Sequence, residues 1–73
     1  MAYKVIRFEN LYELLDWTAP ITVRNSTTGI EKHFQYAAEA IGPDGLTDED
    51  LVAEVISIMP LKGDGLRIHI AKL

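Results

Sequence analysis

Seventy-three residues without a cysteine make one compact domain at most, residues 1–73, with no disulfide framework, no thiolate nucleophile and no cysteine-based zinc site. An apolar content of 48% and a charged content of 25% are those of a folded globule rather than a disordered chain. A formal net charge of −4 argues against a surface built throughout for nucleic acid or anionic lipid.

At the start, Tyr3-Lys4-Val5-Ile6-Arg7-Phe8 is rich in β-branched and aromatic residues and reads as a strand, with no apolar leader core before it. Asn10 with Glu13 three residues on has the spacing of a capping box. Leu11, Leu14 and Leu15, closed by Trp17, then form a helical stripe that Pro20 stops. Ile21-Thr22-Val23-Arg24 alternates as a second strand, and Asn25-Ser26-Thr27-Thr28-Gly29 is a turn. Residues 30–41 fit two structures. Ile30 to Tyr36 reads as the returning arm of a hairpin, with Phe34 and Tyr36 at period two facing the core. A helix with Ile30, Phe34, Ala37, Ala38 and Ile41 on its stripe competes with it. The short turn after a strand favours the hairpin.

Gly42-Pro43-Asp44-Gly45 is a loop. Thr47 can cap a helix whose first turn holds Asp48, Glu49 and Asp50, where exposed N–H groups and the helix dipole favour carboxylates. Leu51, Val52, Val55, Ile56 and Met59 continue as its apolar stripe until Pro60. The run 55–59 is equally rich in strand formers and fits a strand paired with the chain's end. Gly63-Asp64-Gly65 turns the chain into a last strand, in which Leu66, Ile68 and Ile70 alternate with Arg67 and His69.

The order strand, helix, strand, strand, helix, strand predicts an α+β two-layer sandwich. Its expected form is the ferredoxin-like βαββαβ fold, with a four-stranded antiparallel sheet and two helices on one face. Such a fold hosts many functions and implies none.

No constellation of catalytic type is present. His33 and His69 lack metal-ligand spacing. Asp44, Asp48 and Asp50 lack the rhythm and distant glutamate of a calcium loop. Ser26, Thr27 and Thr28 have no oriented base, and neither glycine turn is a phosphate loop. The sequence therefore carries no expectation of a cofactor or metal. Charge segregation is what remains: Arg24, His33, Arg67 and His69 should share the sheet face that the helices leave open, with Thr22 and Gln35. Such a face suits an anionic partner. It lacks the stacking aromatics and the basic-Gly-aromatic signature of sheet-type RNA binders, and a half-covered sheet ordinarily shows a polar outer face. Glu9, Glu13, Asp16, Asp48, Glu49, Asp50 and Glu54 make the opposite surface acidic. The sequence thus predicts a small soluble, cytoplasmic, non-enzymatic module that binds another protein or itself. A nucleic-acid-binding regulator is the alternative, and no membrane partner is expected because no apolar run approaches the roughly 20 residues of a span.

Overall fold

The computed structural model describes residues 5–63 and 65–72. Tyr3 and Lys4 of the expected first strand, and Asp64 of the last turn, lie outside the described residues. The chain forms α1 (Phe8–Tyr12), β1 (Ile21–Asn25), β2 (Glu31–Phe34), a 3-10 turn (Ala37–Ala40), α2 (Asp48–Leu51), β3 (Glu54–Pro60) and β4 (Leu66–Ala71).

β1 and β4 are the two central strands, and both carry the period-two alternation that buries one face. Ile21, Val23 and Asn25 of β1 are buried, as are Ile68 and Ile70 of β4. They pair in parallel, with Val23 opposite Ile68 and Asn25 opposite Ile70. Each central strand then pairs antiparallel with its hairpin neighbour, giving the order β2-β1-β4-β3.

This mixed sheet replaces the antiparallel ferredoxin-like sheet that the sequence suggested. Two local outcomes cause the change. The described part of the first segment meets β3 in a single antiparallel bridge, Arg7 to Glu54. The Phe8 N–H then donates to the Ala53 carbonyl at 3.0 Å, and the Arg7 carbonyl accepts from the Asn10 and Leu11 N–H groups, so a helix begins. Arg7 stands at its cap in an extended conformation without a side-chain cap bond, in place of the expected Asn10. The helix ends before Leu14, which is 84% exposed, and Trp17 is half-exposed too.

The second outcome lies at the expected long helix, which stops after one turn. Thr47 caps it as its position implied. Its hydroxyl accepts from the Asp50 N–H at 3.3 Å, while an Asp50 carboxylate oxygen accepts from the Thr47 N–H at 3.2 Å. Beyond Leu51 the chain extends, and Val55-Ile56-Ser57-Ile58-Met59 becomes the body of β3. The β-branched Val55, Ile56 and Ile58 lose χ1 freedom in a helix and fit a strand better. Gly63, at φ +89°, permits the turn that returns β4 beside them.

The ambiguous 30–41 stretch divides. Glu31–Phe34 is the hairpin arm, with Phe34 buried but Tyr36 half-exposed rather than in the core. The alanines after it form the 3-10 turn, because the Ala37 and Ala38 N–H groups bond the Ala19 and Trp17 carbonyls. Since β1 and β4 are parallel, β2 and β3 run the same way at opposite edges, and such strands need a long crossover. Segment 35–53 is that crossover. It lays Ala37, Ala40 and Ala53, with Phe8 from α1, over the buried sheet face.

Candidate interaction surfaces

The sheet's other face carries the sequence-predicted residues in two rows. His33, Thr22, Arg67 and Met59 lie in register across the four strands, and Glu31, Arg24, His69 and Ser57 form the next row. Arg24, His33, Arg67 and His69 are thus brought onto one surface, because each alternates with a buried neighbour. Arg67 of β4 donates across β1 to a Glu31 carboxylate oxygen of β2 at 2.7 Å, so one of the two guanidinium charges is answered within the face. The Thr22 hydroxyl lies 2.8 Å from His33 Nδ1. Arg67 Nε and His69 Nε2 are shielded from solvent without a hydrogen-bond partner among the described residues. None of the eight positions carries a Phe, Tyr or Trp ring on which a base could stack. The aromatics lie elsewhere: Phe8 beside Tyr12, and Tyr12 stacked on Trp17 with ring centroids 5.7 Å apart.

Between the β1–β2 hairpin and α2 lies a cleft of about 170 Å³, with Val23, Ile30 and Leu46 as its apolar wall and Lys32, Glu49 and Asp50 as its charges. Asn25, Lys32, Thr47 and Asp50 are committed to holding the fold. Asn25 Nδ2 donates to Asp50 at 2.8 Å, and Lys32 Nζ donates to the Gly45 carbonyl at 3.2 Å. Burial pushes the Asp50 carboxyl up, but hydrogen bonds from Asn25 and Thr47 and the nearby Lys32 charge outweigh it and hold the pKa below the ordinary value. The cleft is also smaller than the several hundred cubic ångströms of an ordinary ligand pocket. Among the described residues no cluster of three His, Asp or Glu side chains is placed to hold a metal ion. No described helix is long and apolar enough to cross a membrane.

A surface that the sequence pattern did not reveal lies along β3. Ile56, Ile58 and Met59 are 50%, 46% and 43% exposed, and Val5, Ile6 and Val52, beside the strand's beginning, are exposed as well. The signal is present as an apolar run, but a helical period turns Val55, Ile56 and Met59 inward. In the sheet they belong to an edge strand, which has a neighbour on one side only. Comparisons of the chain with known proteins find no matching family model, no matching curated protein and no matching solved structure.

Proposed function

We propose that this chain is a small non-enzymatic interaction module that engages another protein chain along the outer edge of β3. The observation that carries this reading is that apolar side chains of the edge strand, Ile56, Ile58 and Met59, stay exposed, as do Val5 and Ile6 where the first segment meets it. Isolated exposed apolar residues need no explanation, but an apolar edge stretch without charged side chains is a ready template for another strand. The open basic face supports an anionic partner less well. Glu31 already meets Arg67, and the face offers no aromatic platform.

Affinity capture from the source cells at low and high salt tests the reading, using the unmodified chain, Ile58→Lys, and an Arg24→Glu/Arg67→Glu double variant. The expected result is a protein retained at high salt by the unmodified chain and the double variant, and lost by Ile58→Lys. Capture of nucleic acid that is released by salt and abolished by the double variant would replace it with the nucleic-acid reading, because phosphate contacts weaken steeply as salt rises.

A further inference from the structure

The backbone of β3 narrows the choice of partner. At the hairpin end the Leu61 N–H donates to the Gly65 carbonyl at 2.9 Å. Bonded and non-bonded pairs alternate along an antiparallel ladder. With Pro60 opposite Leu66, Met59 opposite Arg67 and Ile58 opposite Ile68, Ile58 and Pro60 therefore turn their backbone polar groups outward. At the other end the outer edge is occupied, since the Val55 N–H donates to the Ile6 carbonyl at 2.7 Å. Between these limits Ile58 presents both an N–H and a carbonyl, whereas Pro60 presents only a carbonyl.

We infer, resting on the reading above, that the occupant of this edge is a second copy of the chain, paired antiparallel through β3 about a two-fold axis at Ile58. In that register each copy's Ile58 N–H meets the other's Ile58 carbonyl, so both outward groups are matched. Sliding by two residues sets Ile58 against Pro60 and leaves the Ile58 carbonyl without a donor. The proline thus disfavours that slide toward the hairpin. Two-fold pairing is self-complementary by construction. It opposes Ile58 to Ile58 and Met59 to Ser57, and the contact of Ile6 and Arg7 with Val55 and Glu54 confines it to the middle of the strand. No charged side chain intervenes from Val55 to Leu61. Lysines and other charges are the usual guards against edge pairing.

Sedimentation of the full chain from low micromolar to about millimolar concentration is expected to give a reversible monomer–dimer equilibrium, because the interface is short. The chain has no cysteine, so single cysteines report proximity. Under mild oxidation Ile58→Cys should cross-link at least about tenfold faster than Leu14→Cys, since exchange between equally reactive thiols is governed by access. Ile58→Lys, which sets lysine against lysine, should be monomeric with an unchanged circular dichroism spectrum. If it misfolds, Met59→Lys takes its place. A monomer throughout the range, or equal cross-linking at both positions, overturns the dimer. If Ile58→Lys nevertheless loses its captured protein, the interaction reading stands with a different partner. A chain lacking Met1–Lys4 completes the test. Unchanged association supports the second copy, whereas association seen only in the shortened chain makes the chain's own first residues the occupant and overturns the proposal.

Discussion

The two edges of the sheet are finished in opposite ways. β2 carries Glu31, Lys32 and His33, and the crossover is tied down beside it through Lys32 to Gly45 and Asn25 to Asp50. β3 is apolar along most of its length and, among the described residues, is joined on its outer side only near Val55. Charged side chains and a covering loop are the ordinary means of closing a sheet edge. Stability should therefore be concentrated at the centre and on the β2 side. The outer side of β3 is available for association at little cost to the fold.

The largest expected effect comes where β3 is held at its start. Phe8 is fully buried and packs under the sheet where Ala53 enters β3. Phe8→Ala should destabilise by about 3–5 kcal/mol in denaturant unfolding. A loss under about 1 kcal/mol, near the typical point mutation, would mean that α1 is not what anchors this side.

Gly45→Ala should cost about 1–3 kcal/mol, as overpacking does. A Cβ at Gly45 would collide with the backbone of Ala40 and Glu39, which cannot move aside as a side chain would. An unchanged melting temperature would show that the crossover does not press on the β2 side. Thr47→Ala should cost about 0.5–2 kcal/mol by removing the cap of α2. Amide exchange at Asp50, whose N–H the threonine hydroxyl accepts, should speed up in the same variant.

Acid gives a smaller and graded effect. The Asp50 pKa is lowered in the folded state, so its contribution is present in full above the ordinary carboxylate value of about 4 and is lost as pH falls through the lower folded value. Asp50→Asn should flatten that part of the stability profile while leaving the difference from Thr47→Ala largely intact near neutrality. A profile unaltered by the substitution would remove Asp50 from the β2-side anchor.

The smallest change in stability is expected at the other edge. Ile58→Lys should alter unfolding of the monomer by no more than about 0.5 kcal/mol, as exposed sites do. If it unfolded the chain, β3 would be closed rather than available, and the contrast between the edges would vanish.

Features governed by near neighbours in the chain are legible in the sequence alone. Alternation in Ile21–Arg24 and Leu66–Ile70, the turn at 25–29 and the Thr47 cap each depend on side-chain period or on a bond within three residues. The shared face of Arg24, His33, Arg67 and His69 is legible for the same reason, because period two sends alternate side chains to one side. Segments whose residues satisfy two periods are resolved only by their distant partners. Val55–Met59 has a helical stripe and β-branched content together, and the open edge of β4 drew it into the sheet. Phe8 ended as a helix residue because Ala53, far along the chain, accepts its N–H. Strand direction is likewise beyond local pattern, since hydrophobic alternation looks the same in parallel and antiparallel pairs. The strands Ile21–Asn25 and Leu66–Ala71, the turn between β1 and β2 and the alternation of side chains thus follow from the order of residues, because those properties are local. The parallel pairing of β1 with β4 and the apolar strand at the sheet's edge emerge only in the folded chain, because both depend on contacts between residues far apart in it.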